Sequence, residues 1–506
     1  MAPLDQQLII PFISFILFII LLHKWCSGTL FPARKNLPPS PRKLPIIGNL
    51  HQLGTSPHRS LQSLSKRYGH LILLHFGRVP VLVASSAEAA REIMKNQDVI
   101  FSNRPKLSMP DRLIYGSRDV AFAPYGEHWR QTRSICMLQM LSTKRVQSFR
   151  RVREEETSAM VNKIRRLGSS SSVVNLSDVL VSLTNDVICR TALGRKYDDH
   201  VRDKKFKMFF NDFQKLLGTM SLRDYVPWLG WIERINGLDA KVERVAKLFD
   251  KFLETVLQEH RDGNKDDDGD GEFDFVDILL EFQRDNKSSS PVEDDTIKAL
   301  IVDMFGAGTD TTVTSLEWAI AELIKNPRTM KILQSEVRRV AGKKKEIDED
   351  DLDKMIYLKV VIKESLRLHV PVPLLLTRES TQDTKLMGYD IKAGTQVIVN
   401  AWAIGRDPKS WENPEEFRPE RFLESGIDFK GQHFEYIPFG AGRRGCPGIA
   451  FGVAVNELGL AKLVHHFNFA LPNGEKEEDL DMSEKIWISV HKKLPLLVVP
   501  TSYIVK

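Results

Sequence analysis

The chain of 506 residues is 27% charged and 42% hydrophobic, with a formal net charge of +6. That composition excludes a disordered or fibrous chain and supplies material for a large core. No basic cluster interleaved with aromatics occurs, which argues against nucleic-acid binding and leaves a mildly basic surface suited to an acidic membrane or partner.

From the N-terminus, Leu8 to Leu22 is apolar apart from Pro11 and Ser14. A span needs about 20 residues, and Met1–Gln7 with His23-Lys24-Trp25 can extend this one. A cleavable signal peptide fits less well: Asp5 stands where a basic region belongs, and no A-x-A site follows. Lys24, Arg34, Lys35, Arg42 and Lys43 come after the segment, so the positive-inside rule puts the body in the cytosol. Residues 1–30 are expected to be a single membrane anchor. Residues 31–50, with Pro38, Pro39, Pro41 and Pro45, are expected to be a stiff extended hinge.

Two strand-like runs, Leu71–Phe76 and Pro80–Ala84, predict a hairpin across Gly77-Arg78-Val79. Helical periodicity then dominates, with amphipathic stretches over Ser142–Arg166 and Asp239–His260, and a mixed region lies between Thr377 and Val399. The sum is a mainly α fold with a small β portion. The four cysteines, Cys26, Cys136, Cys189 and Cys446, are too far apart for a zinc site or disulfide framework, and Cys136 and Cys189 read as buried filler. Asp266, Asp268, Asp270, Gly271 and Asp277 approach a calcium-loop template, but Asp277 replaces the bidentate Glu, so a solvated connector is expected. The sequons at Asn175 and Asn286 fall on the expected cytosolic side, where glycosylation does not occur.

Four segments carry chemistry. Trp129 and Arg133, one helical turn apart, suit a carboxylate such as a propionate, and Arg378 is a further candidate. Asp303 to Trp318 reads as the core of a long apolar helix, where Gly306, Ala307 and Gly308 let a flat group lie close. Asp310-Thr311 is an acid–alcohol pair, and a Thr311 hydroxyl bonded to the Ala307 carbonyl would open a notch for oxygen, water and proton delivery. The rival account is a helix kink without chemistry. Glu364 and Arg367 share a helix face at i, i+3, and Arg421 could complete a buried triad.

The fourth segment, Phe439 to Gly448, sets Cys446 in a glycine-rich loop. A thiolate ligand needs N–H donors and exclusion of water. Gly442 and Gly448 are expected at positive φ, Arg444 against a propionate, and Phe439 over the sulfur. The same letters, Gly440 to Gly445, fit the dinucleotide pattern G-x-G-x-x-G after a strand-like run, Phe434–Phe439. Crowded arginines and too little remaining chain for a parallel sheet argue against that alternative.

Together these motifs resemble the cytochrome P450 family from about Pro38 to Pro500, in wording similar to the plant microsomal A-type group, family 71 and its relatives. The resemblance implies a cytochrome P450 fold over residues 51–506 behind the anchor, in the endoplasmic reticulum membrane. It also implies haem b, O2 as co-substrate, and NADPH through NADPH–cytochrome P450 reductase, with cytochrome b5 as a further candidate partner. It makes Cys446 the iron ligand and Asp310 and Thr311 the proton-delivering residues. Trp129, Arg133, Ala307, Arg378, Phe439, Gly442, Arg444 and Gly448 would contact the cofactor, and Glu364, Arg367 and Arg421 would brace it. Asp303, Phe305, Val370, Val372, Leu374, Leu375 and Trp487 become the expected pocket, suited to a lipophilic small molecule: a terpenoid, coumarin, phenylpropanoid, oxime or alkaloid. Val370 and Thr377 replace prolines usual in relatives, which leaves the substrate open. The implied activity is monooxygenation. A reductase-independent rearrangement or dehydration is disfavoured by the Asp310-Thr311 pair, and a non-catalytic haem-bearing scaffold by the presence of Cys446 and Thr311.

Overall fold

A computed structural model describes residues 14–15, 18–19, 36–169, 172–196, 210–263, 273–286 and 291–503. Most of Leu8–Leu22 lies outside these residues, as do Asp266, Asp268, Asp270 and Gly271. Among the described residues, no helix is long and apolar enough to cross a membrane.

The hairpin forms as the two strand-like runs predict. Strand β1 (Leu71–Phe76) pairs antiparallel with β2 (Val79–Ala84), and Val79 joins the strand instead of the turn. The proline segment is docked, because the Leu73 N–H donates to the Pro39 carbonyl at 2.9 Å. Strand β3 (Arg378–Glu379) and strand β4 (Gln396–Val399) complete the sheet, β4 lying parallel to β2 and antiparallel to β3. A second hairpin, β5 (Glu484–Ile486) with β6 (Val490–Lys492), comes near the C-terminus.

The helices that position the site are α1 (Glu127–Ile135), α2 (Arg150–Leu167), α3 (Leu176–Leu193), α4 (Leu238–Arg261), α5 (Asp294–Lys325), α6 (Ile356–Leu368) and α7 (Ile449–His466). The predicted Ser142–Arg166 helix is two: Phe149, at ψ 11°, interrupts it, and its ring meets Phe275 edge-on at 5.2 Å. Asn175 caps α3, its side chain accepting from the Asp178 N–H.

Helix α5 is apolar on nearly every face, so it is buried along most of its length, with α3, α6 and α7 packed on it. Leu300, Leu316 and Leu323 expose no surface, and each such burial is worth about 2 kcal/mol. A Cβ on Gly308 would lie 2.6 Å from Ile188 Cδ1, so this glycine sets how closely α3 approaches. The burial of α5 is interrupted at Gly306–Gly308 and Thr311, where a cavity opens beside the helix.

In the acidic connector, Asp277 is committed to helix capping. It and Asp274 exchange side chain-to-backbone hydrogen bonds at the start of the helix Phe275–Asp285.

Candidate active site: a cysteine loop beside the central helix

The loop Phe439–Gly448 is a series of tight turns. Gly440 N–H donates to Ile437 O, Gly445 N–H to Gly442 O, and Cys446 N–H to Phe439 O at 2.9 Å. Phe434–Phe439 is therefore turn and not strand, which removes the structural context that a dinucleotide loop requires. Gly442 has φ +69°, and a Cβ there would stand 2.2 Å from the Met94 carbonyl oxygen. Gly448 departs from expectation: its φ is −89°, because it caps α7 instead of turning the loop. Its N–H is directed at Cys446 Sγ, at the positive end of the α7 dipole.

Cys446 opens onto the cavity while protein encloses its other sides. Burial raises its thiol above the ordinary range, opposed by the Gly448 N–H and by Arg133. A metal cation at Sγ would remove that proton outright. Phe439 also lines the cavity, and its ring is held edge-on by Phe429 at 5.4 Å. Cys136 shares the cavity wall, but burial pushes its thiol up to about 12 and makes it inert.

Four guanidiniums line one cavity: Arg104, Arg133, Arg378 and Arg444. Burial and mutual repulsion lower Arg104 well below its usual range and Arg444 to about 9. Arg378 and Arg133 are lowered by burial. Arg444 is held by the carbonyls of Ser102, Val120 and Ala123, Arg133 by Gly445, and Arg104 by Ala121, Leu376 and Thr377. So much buried positive charge, opposed mainly by Asp98 and Asp119, fits a group carrying two carboxylates beside its metal. Arg104 escaped the sequence reading: it stands alone before Pro105, with no partner in sequence to mark it. Trp129 lies behind this wall, its Nε1–H bonded to Val120 O at 3.0 Å and its ring 4.2 Å from the Arg444 guanidinium carbon.

On α5, Ala307, Gly308, Thr311, Thr312 and Ser315 line the cavity. Thr311 Oγ1 donates to the Ala307 carbonyl at 2.6 Å, and the helix runs unbroken through this point. Asp310 turns away, its Oδ1 3.0 Å from His491 Nε2. Below the cavity, Arg367 grips Glu364 with bonds of 2.8 and 2.9 Å, and Arg421 adds a third at 3.0 Å. The expected buried triad is in place.

The expected pocket is rearranged. Asp303, Val372 and Leu375 line the cavity, while Phe305, Val370, Leu374 and Trp487 do not. Phe305 packs with Phe210, Val370 sits in the core beside the sheet, Leu374 packs toward β1 and β2, and Trp487 turns to His491. Ile488 and Ser489 replace Trp487 in the wall. Asp303 is not free to meet a substrate: its Oδ2 accepts the Val120 N–H at 2.7 Å, and its carboxyl faces Asp119. Burial and then Asp119 push Asp303 well above the usual carboxylate range, so the pair holds a proton between them.

Comparison with known proteins agrees with this geometry. The family model "Cytochrome P450" matches residues 38–498. Cytochrome P450 71A6 of Nepeta racemosa is 62% identical over 96% of this chain and 97% of its own length. (+)-Menthofuran synthase of Mentha piperita is 60% identical over 97% of each chain. A zebra fish cytochrome P450 structure with progesterone superposes with a TM-score of 0.76 at 27% identity, over 88% of this chain and 99% of that one. With a cysteine loop, an arginine wall and a notched helix bounding one cavity, the chain belongs to the cytochrome P450 family of haem-dependent monooxygenases.

Proposed function

We propose that this monooxygenase takes electrons from NADPH–cytochrome P450 reductase and oxidises a lipophilic plant specialised metabolite. One observation carries the reading: a single cavity is bounded by Cys446, by Thr311 and by an apolar wall of Val302, Met304, Val372, Leu375, Leu376 and Ile488. Haem bound there supplies dioxygen activation and transfer of one oxygen atom to substrate. Cys446 would ligate the iron, and Arg104, Arg133, Arg378 and Arg444 would hold the propionates. The Thr311 hydroxyl, fixed against Ala307, lines the cavity, where its oxygen would accept a hydrogen bond from water. The apolar wall orients substrate and excludes bulk water. The expected N-terminal anchor, residues 1–30, would hold the body at the cytosolic face of the endoplasmic reticulum, with cytochrome b5 as a second electron donor.

The test is a dithionite-reduced carbon-monoxide difference spectrum of the membrane-expressed protein and of Cys446→Ser. The expected result is a strongly red-shifted Soret band that the variant loses, followed by product formation that requires NADPH and reductase. Turnover independent of reductase would overturn the proposal in favour of rearrangement or dehydration. Release of a 1–30 deletion from membranes, with retention of the full chain, tests the anchor.

A further inference from the structure

Asp310 and Thr311 are neighbours in sequence, yet only Thr311 lines the cavity. The Asp310 carboxylate is buried against β6, where His491 Nε2 lies 3.0 Å from its Oδ1. Thr314 fixes the protonation of that imidazole. Its hydroxyl donates to the Asp310 carbonyl at 2.8 Å, since a carbonyl can only accept, so its oxygen must accept from His491 Nδ1 at 3.2 Å. Nδ1 therefore carries a proton, and Nε2 faces the Asp310 carboxylate at ion-pair distance, though not at a hydrogen-bonding angle. That carboxylate favours the doubly protonated, charged ring.

We propose that His491 is a positioning residue for the acid–alcohol pair, holding the Asp310 carboxylate and refilling it with protons from solvent. This rests on the monooxygenase reading above. Asp310 Oδ2 makes no hydrogen bond and is left uncommitted. The His491 side chain is 14% exposed against 6% for Asp310, so solvent meets the imidazole ring more than the carboxylate, while Nε2 itself is buried. The transfer is balanced: Nε2 gives its proton to Asp310, leaving neutral imidazole and a carboxylic acid. The acid yields a proton toward Thr311, and solvent returns one to His491.

The charges facing His491 are Asp310 and Glu317 on α5 and Lys485 on β5. Burial lowers the imidazole, but Asp310 and Glu317 outweigh it and leave it above its usual value. A raised histidine contributes stability that is complete below its unfolded pKa and is lost as pH rises through the folded one.

The experiment compares wild type, H491Q, H491R, D310N, H491Q/D310N and T311A as reductase-reconstituted holoenzymes. One readout is the fraction of NADPH electrons recovered as hydrogen peroxide between about pH 6 and 9. The other is melting temperature against pH. H491Q is expected to raise the peroxide fraction about fivefold, and H491R, which keeps the charge, to recover most of the loss. The melting-temperature gap between wild type and H491Q should be largest at low pH and close as pH rises. H491Q and D310N should be non-additive in the double variant. A peroxide fraction unchanged in H491Q but raised in T311A overturns the inference alone. One unchanged in T311A as well overturns the proton-delivery reading beneath it. Should H491Q fail to fold, D310N melts decide: a gap that narrows with pH supports the pair, and a constant gap overturns it.

Discussion

Arg367 and Glu364 face each other with no exposed surface, joined by two parallel bonds of 2.8 and 2.9 Å. Glu364 also receives Arg421 Nε and the Arg418 N–H, while Arg367 caps the carbonyls of Gly405, Pro414 and Glu416. Removing Arg367 takes the partner from Glu364 Oε2 and from the carbonyls of Gly405 and Pro414, and leaves Arg421 and the Arg418 N–H to hold the buried carboxylate alone. Arg367→Ala is expected to cost about 3–5 kcal/mol and to abolish haem-loaded protein, measured as loss of the carbon-monoxide band at equal expression.

Arg104 gives a milder and more specific outcome. Arg104 lines the cavity, and in the proposed function it would meet a propionate, where loss of one charge-assisted bond costs about 1.5–3 kcal/mol. Arg104→Ala should therefore fold, bind haem, and release it about tenfold faster or more to an excess of haem acceptor protein. Arg104→Lys should recover only part of the retention, because a point charge cannot reproduce the guanidinium fork that bonds Ala121, Leu376 and Thr377.

The two loop glycines separate by experiment. Gly442→Ala puts a Cβ 2.2 Å from the rigid Met94 carbonyl at φ +69°, so it should yield little haem-loaded protein. Gly448→Ala puts a Cβ 3.9 Å from Cys446 Sγ at φ −89°, an ordinary contact, and should keep the carbon-monoxide band within about twofold of wild type. Parallel spectra of the two variants check both.

What the chain reveals before folding follows from how local each signal is. The Cys446 loop, the Thr311–Ala307 bond and the Glu364–Arg367 pair are contacts within a few residues, so motif and helical spacing predict them. The hairpin Leu71–Ala84 was legible for the same reason. Arg104, Asp119 and His491 were not, because their partners lie far along the chain and each looks like an ordinary surface residue in sequence. The pocket suffered most. Phe305 and Leu375 sit in equally apolar runs, and only the rotation of α5 and the path of the 370–377 loop decide which side chain faces the cavity.

The Asp119–Asp303 pair makes a pH prediction of definite sign. Asp119 Oδ2 accepts the Phe122 N–H at 3.0 Å within the 119–122 loop, and Asp303 Oδ2 accepts the Val120 N–H, which ties that loop to α5 beside the cavity. Both are pushed up, burial being the largest cause. The folded state thus holds a proton that the unfolded chain releases, and stability must fall as pH rises from the unfolded carboxyl pKa toward the folded one. Asp303→Asn removes that titration. Its amide oxygen still accepts from Val120, and its NH2 can donate to an ionised Asp119. The variant should match wild type in mildly acid buffer and melt about 1–2 °C higher near pH 8. Thermal melts of both holoenzymes across that range check it, and a variant less stable at alkaline pH would show that the carboxyls do not share a proton.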